Sequence, residues 1–258
     1  MTNFPAILVE PIPNIPDITP KTDLSHTLIA ATDHADLTVK DGNVFIISQK
    51  IVSKAENQYV ELDTILPSKR ALELSQKTSK DPRLVELILS ESNEVIRYKK
   101  GVIVVEHRLG YVMANAGIDS SNLGLFEDNR ERVLLLPENP DATCADLQKK
   151  FEHHYHCNLG VIVSDSVGRA WRKGSIGIAL GAAGLPALWN RIGEPDLYGR
   201  ALQVTEIGLA DQLACAASLI MGEGAEGFPV VKLGGFKWPQ SNSTGQHLLR
   251  TKDEDLFR

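Results

Sequence analysis

Apolar residues gather in short runs along the chain, and turn-forming residues bound each run. Val44-Phe45-Ile46-Ile47, entered through Asp41-Gly42-Asn43, predicts a buried strand, and Gly160 to Val163 predicts another that ends in Ser164-Asp165-Ser166. Val102 to Val105 and Tyr111 to Ala114 flank Arg108-Leu109-Gly110, the pattern of a hairpin ending at Asn115-Ala116-Gly117, and Arg132 to Leu136 reads as a further strand. Helical spacing takes over elsewhere. Ser68 caps a predicted helix carrying Leu72 and Leu74, and Asp81-Pro82 opens one in which Leu84, Leu87, Ile88 and Val95 recur. Asp141-Ala142-Thr143 caps a third helix reaching Tyr155, and Thr205 to Met221 forms a fourth, stopped by Gly222-Glu223-Gly224. Gly174, Gly177, Gly181 and Gly184 punctuate an apolar stretch, predicting close backbone approaches or bulges in place of a helix. Without a repeat or an interdomain linker, residues 1–240 read as one folded unit, and 241–258 as a polar tail, frayed after Trp238.

Composition narrows the class. The 258 residues are 43% hydrophobic and 23% charged, an ordinary globular balance that excludes disorder and fibrous arrays. Thirty-three acidic against 27 basic residues leave a formal charge of -6, so nucleic acid is not an expected partner. Cys144, Cys157 and Cys215 form no CxxC pair, which argues against a disulfide framework or a thiolate zinc site and predicts a reducing, cytoplasmic compartment. The opening Met1 to Pro5 lacks a cationic leader and is followed by Pro11, Pro13 and Pro16, so no signal peptide is expected. The apolar stretch Leu209 to Met221 carries Asp211 and Gln212 and falls short of the about 18 residues that span a bilayer, so no membrane partner is expected either.

Several stretches carry candidate chemistry, each with a plainer alternative. Asp165 and Ser166, a carboxylate and a hydroxyl at a strand's end, supply hard oxygen to a cation and its phosphate partner, or simply cap a turn. Gly168 to Gly174 sets Arg169, Arg172 and Lys173 beside them, to neutralise phosphate oxygens or as a solvated loop. Asn115 to Asn122 concentrates oxygen ligands and amides around Asp119, as a cation site shared with Asp165 or as an Asx-rich turn. Met221 to Phe228 combines three glycines, whose amides can meet an anion, with Glu223 and Glu226; a glycine cap and flexible loop is the alternative. No Gly-x-x-x-x-Gly-Lys-Ser/Thr loop and no strand-linked Gly-x-Gly-x-x-Gly turn is present. Lys50 and Lys54 follow the first buried strand, where an ammonium contacts phosphate or merely solubilises. His153, His154 and His156 sit in a polar helix and read as surface residues, and no Gly-x-Ser-x-Gly elbow or cysteine nucleophile marks a hydrolase.

Taken in order, five blocks resemble the coenzyme F420:L-glutamate ligase family over most of the chain. They are Ser48 to Glu56 (SQKIVSKAE), Lys80 to Val95 (KDPRLVELILSESNEV), Asn115 to Asn122 (NAGIDSSN), Ser164 to Gly174 (SDSVGRAWRKG), and Asp196 to Gly224 with DLYGR, VTE, ADQLA and LIMGEG. The resemblance implies an α+β fold with a mixed sheet, neither P-loop nor Rossmann, in a catalytic domain over residues 1–240, and an intertwined homodimer. It also implies a GTP-dependent amide ligase. The γ-phosphate activates the carboxylate of the phospholactyl precursor, the amine of L-glutamate displaces phosphate, and GDP leaves. Two divalent cations, manganese or magnesium, and a monovalent cation, potassium, are the implied cofactors. Carried over by position, Asp119 and Asp165 hold one divalent cation, while Ser166 and Glu223 contribute to the second. Ile15, Pro16, Asp17, Ile18, Gln49, Lys50, Lys54, Asn122 and the loop Met221, Gly222, Glu223, Gly224, Ala225, Glu226, Gly227, Phe228 are expected to meet GTP. Arg169 and Arg172 join Asp119 and Asp165 in the catalytic set by a different route: their position beside the acidic residues would steady an acyl phosphate.

The chain departs from the family at several positions. Asn14 and Asp17 stand where glycine and an apolar or glutamyl residue are frequent, Ser166 replaces threonine, Asn57 replaces glycine, and Gly234-Gly235-Phe236-Lys237 lacks a common arginine. Two other readings stay open: a related ligase for another carboxylate or amino acid, and a GTP-binding regulatory or scaffold protein without catalysis. No flavin is expected, since longer relatives carry it on an added reductase-like domain.

Overall fold

The computed structural model describes residues 6–257 apart from 125, 127 and 129. The chain runs β1 (Leu8–Pro11), α1 (Leu24–His34), β2 (Asn43–Ser48), α2 (Gln49–Ala55), β3 (Tyr59–Glu61), α3 (Lys69–Thr78), α4 (Pro82–Ser90), β4 (Ser92–Lys99), β5 (Val102–His107) and β6 (Val112–Ala114). It continues through β7 (Arg132–Leu134), α5 (Pro140–Tyr155), β8 (Leu159–Arg169), β9 (Arg172–Ala183), β10 (Leu188–Asn190), β11 (Glu206–Gly208), α6 (Leu209–Met221) and β12 (Val230–Gly234). Short 3-10 turns occupy Leu62–Thr64, Asn115–Gly117 and Gly245–Leu248.

The central sheet is mixed, in the order β1-β12-β2-β8-β9, with β2 and β8 parallel and the other neighbours antiparallel. β2 and the first half of β8 read as unbroken apolar runs because both of their faces are covered. Phe45, Ile47, Val161 and Val163 pack with Leu28 of α1, Val52 of α2 and Phe151 of α5. Val44, Ile46 and Ile162 pack with Leu209, Leu213 and Ala217 of α6 on the opposite face. Each buried Val, Leu, Ile or Phe among them contributes roughly 1.5–3 kcal/mol. The architecture is α+β, as the motif order implies.

A parallel pair cannot be joined by a hairpin and needs a long crossover. Here the crossover from β2 to β8 carries a second lobe: α3 and α4 pack through Ala71, Leu74, Val85 and Ile88 on Ile103 and Val105 of the β4-β5-β6 sheet, with the β3–β7 pair beside it. Ser68 and Asp81 cap the two helices as read from sequence, accepting the N–H groups of Ala71 and Arg83. Val95, by contrast, lies in β4 and not in the preceding helix: the helix stops at Ser90, and the turn at Lys100-Gly101 lets β4 pair with β5.

Other boundaries move for identifiable reasons. Asn139, not Asp141, caps α5, because Asp141 is drawn off to accept the N–H groups of Ala182 and Gly245. The fourth helix begins at Leu209, since Glu206–Gly208 pairs with β10. Ser164-Asp165-Ser166 does not end its strand; β8 continues to Arg169 because β9 pairs with it along its outer half. The C-terminal segment is docked and not frayed after Trp238, whose indole donates to the Gly184 carbonyl, while Gly245 is buried and the Gln246 amide donates to the Leu109 carbonyl. Among the described residues, no helix is long and apolar enough to cross a membrane.

The predicted close approaches are real at three of the four glycines. A Cβ on Gly177 would lie 2.4 Å from the Ala214 carbonyl oxygen, and one on Gly181 would lie 2.4 Å from the Pro140 carbonyl carbon, both backbone. A Cβ on Gly184 would lie 2.2 Å from the Leu159 carbonyl oxygen, whereas Gly174 faces open space. Gly181→Ala therefore wedges β9 off the first turn of α5 and is expected to cost about 1–3 kcal/mol, read as a lower urea midpoint with an unchanged slope.

Candidate functional site

β2 and β8 run in register up to the pair Ser48 and Ser164, so the next residues on each, Gln49 and Asp165, emerge side by side. There the strands part. Ser48 turns β2 into α2, its hydroxyl accepting the Lys50 N–H, while β8 continues paired with β9 alone among the described strands. Freed on that edge, β8 opens onto a cleft of about 640 Å³. Successive side chains of a strand point to opposite faces. Asp165 accordingly sits with α2 and Asp119, and Ser166 with the end of α6, where its hydroxyl donates to Glu223 at 2.9 Å. Ser175, across on β9, donates to the other Glu223 oxygen at 3.1 Å.

The second lobe delivers Asp119. Its backbone exchanges two hydrogen bonds with Leu134, both 2.9 Å, which pins the residue independently of its side chain. The carboxylate accepts 2.7 Å hydrogen bonds from the Gln49 amide and from the Lys50 ammonium, and Lys50 also reaches the Ser121 carbonyl at 3.3 Å. Asp165 titrates far from an ordinary carboxylate: burial first, and then the Asp119 charge, push it up to about 7 against the pull of the Ser166 N–H, Lys50 and Gln49. Two carboxylates thus share negative charge that their protein partners only partly offset.

Most of the residues expected to meet a nucleotide do surround this cleft. Ile15, Pro16, Asp17 and Ile18 form one wall, with Lys54 paired to Asp17 at 3.1 Å. Met221, Gly222, Glu223, Gly224, Ala225, Gly227 and Phe228 form another, joined to the Asp119 loop where the Asn122 amide donates to the Gly224 carbonyl at 3.2 Å. Other expected residues lie elsewhere. Gln49, only 1% exposed, stands behind Asp119 and does not line the cleft. Glu226 folds back onto its own loop to accept the Gly224 N–H at 2.8 Å. Arg169 and Arg172 face one another at the exposed tip of the β8–β9 hairpin, beyond Gly168, the last β8 residue along the wall. Ser175 and Ser53 were not singled out from sequence. Ser53, four residues after Gln49 on one helix face, had a readable spacing, whereas Ser175 needed the hairpin register.

The acidic and hydroxyl donors are all oxygen, which suits magnesium or manganese, cations that take one or two carboxylates and complete their shell with phosphate and water. The mutual repulsion of Asp119 and Asp165 fits a cation between them. Among the described residues no three Asp, Glu, His or Cys side chains form a cluster that could hold a metal ion; Asp119 lies with Asp165, and Ser166 with Glu223.

Fold and cleft together define an α+β protein in which carboxylates, hydroxyls, ammonium groups and a glycine-rich loop converge on one open groove. Residues 13–235 match the family model described as F420-0:gamma-glutamyl ligase, and the chain belongs to that family. It is 43% identical to the coenzyme F420:L-glutamate ligase of Methanocaldococcus jannaschii over 87% of this chain and 88% of that one. With the protein of the same name from Methanopyrus kandleri it shares 37% identity over the full length of both.

Asp165 predicts a pH signature in the metal-free protein. Its folded pKa, about 7, lies above the unfolded value of 3.8, so the folded state holds more protons between them and the stability penalty grows as pH rises through that window. Asp165→Asn removes the titration. In chelator, its unfolding free energy is expected to gain on that of the unmutated chain from about pH 4 to about pH 7 and to hold that gain above, by a few kcal/mol at most, read from urea midpoints across that pH range.

Proposed function

We propose that this chain is a GTP-dependent ligase that joins L-glutamate to the coenzyme F420 precursor through an acyl phosphate. The observation that carries the reading is the meeting of Asp119, Asp165, Ser166 and Glu223 with Lys50 and Lys54 around a single cleft. Amide formation from a carboxylate at neutral pH requires that an oxygen first become a leaving group. The precursor carboxylate attacks the γ-phosphorus, the bond from that phosphorus to the β,γ-bridging oxygen breaks, and GDP leaves. The glutamate nitrogen then attacks the acyl carbon, phosphate departs with the carbon–oxygen bond, and the nitrogen gives up its proton.

Phosphoryl transfer depends mainly on positioning and charge neutralisation. Lys50 and Lys54 bring ammonium groups to the phosphate side, and the glycine loop offers backbone amides, held near Asp119 by Asn122. Two divalent cations, manganese or magnesium, one at Asp119 and Asp165 and one at Ser166 and Glu223, supply charge neutralisation for the triphosphate when bound. Potassium, the monovalent cation, enters through the family resemblance. The wall formed by Ile15 to Ile18 borders the nucleotide, and Asp17 tethers Lys54 there.

The proposal includes a homodimer. Trp171 at the β8–β9 tip and Leu197, Tyr198 and Val204 between β10 and β11 are each at least 85% exposed, more apolar surface than isolated hairpin tips carry without a partner. Arg169 and Arg172 sit on the same tip and would act on an acyl phosphate only if the dimer carries them to a cleft. Light scattering is expected to read twice the 28.3 kDa chain mass.

The decisive experiment incubates the purified protein with GTP, manganese, L-glutamate and the phospholactyl precursor, and follows mass and GDP together. Products heavier by one or more glutamyl residues, with GDP released in proportion, are expected. Asp165→Asn and Glu223→Gln should each lower turnover at least about 100-fold. GDP release that depends on a different acid or amine would redirect the assignment to a related ligase, and GTP binding without acceptor-dependent turnover would remove catalysis altogether.

A further inference from the structure

We infer that Gln49 is a positioning residue for the carboxylate pair, and that Ser53 sets the orientation of its amide. Gln49 and Ser53 are 1% and 0% exposed, and neither lines the cleft. The Gln49 amide nitrogen donates to Asp119 Oδ2 at 2.7 Å, and the Ser53 hydroxyl donates to Gln49 Oε1 at 3.0 Å. Asp165 emerges beside Gln49 at the strand ends, so the amide lies next to both carboxylates.

The orientation follows from the partners. Ionised carboxylates only accept hydrogen bonds, so the amide must turn its N–H groups toward them and its oxygen toward Ser53. The reverse orientation would set an oxygen against two carboxylates in a desolvated pocket. Ser53 lies one helical turn beyond Gln49, so α2 fixes the distance between the two without help from other elements. Lys50 holds Asp119 as a point charge, whereas the planar amide adds direction. The result is a pair of carboxylates held close before a cation arrives, with the repulsion between them borne by the fold.

This inference rests on the proposed cation at Asp119 and Asp165, and the test separates the two. Mn2+ alone is titrated into the full-length, metal-free protein without nucleotide, and free Mn2+ is followed by electron paramagnetic resonance. Gln49→Met keeps the volume and removes the donors; Ser53→Ala frees the amide to turn and is the milder change should Gln49→Met fail to fold. Gln49→Met is expected to weaken Mn2+ binding about 10–100-fold, and Ser53→Ala by less but measurably. In turnover, the Mn2+ concentration for half-activity should rise by the same factors, while KM for GTP at saturating Mn2+ stays as in the unmutated protein. Unchanged Mn2+ affinity in either folded variant overturns the inference alone, and a raised KM for GTP with unchanged Mn2+ affinity makes Gln49 a nucleotide contact instead. An unmutated protein that binds no Mn2+ overturns both readings.

Discussion

Two neighbouring strands that run in the same direction and part after the same registered pair decide where chemistry can occur in this chain. Within a sheet otherwise antiparallel, β2 and β8 keep register to Ser48 and Ser164, and the carboxyl ends of parallel strands are where a cleft can form without breaking the ladder. A slip of one residue would exchange the faces of Asp165 and Ser166 and separate each from its partner. The same pairing demands the long crossover, and the crossover carries the lobe that returns Asp119 to those strand ends. Topology and site are one constraint seen at two scales.

That constraint explains which features were legible in the residues. Val44 to Ile47 and Gly160 to Val163 are readable because both of their faces are buried, so they stand out as short continuous apolar runs between turn residues. Ser68 and Asp81 are readable because a cap satisfies its own helix locally. Val95 misleads because helical spacing continues by chance past Ser90, and only pairing with β5 gives it another role. The polar tail misleads for a related reason: the group that secures it, Asp141, lies more than a hundred residues away in the chain. In the cleft, Asp119, Asp165, Glu223 and Lys54 were legible through the wording of their motifs. Arg169 and Arg172 stand outside it because the length of the β8–β9 hairpin, which local composition does not encode, carries them past Gly168.

Electrostatics shows what such a cleft costs the fold. Holding Asp165 beside Asp119 in a partly desolvated place raises its pKa to about 7, the mark of an ionised state the protein does not fully stabilise. Lys50 offsets part of the charge, and the Gln49 amide orders the rest. Lys232, 4% exposed in the middle of the sheet, is by contrast paired, with Glu10 at 2.6 Å and the Thr38 carbonyl as its acceptors. The two sites differ in that the Lys232 charge meets an opposite charge, whereas Asp165 faces a like one.

The period of two along β8 has a further consequence. Asp165 and Ser166 are adjacent in the chain but belong to opposite faces of the strand, one with Asp119 near α2 and the other with Glu223 beyond α6. A single small cation, with ligand distances near 2.1 Å, cannot draw on both faces at once. The two oxygen sets of the proposed site thus lie on either side of one strand. Both sets are accessible only because β2 has turned away into α2 and left that edge of β8 unpaired. A polyanion lying over the exposed edge would meet both centres together, which ties the number of cations in the proposal to a backbone feature and not to a count of carboxylates.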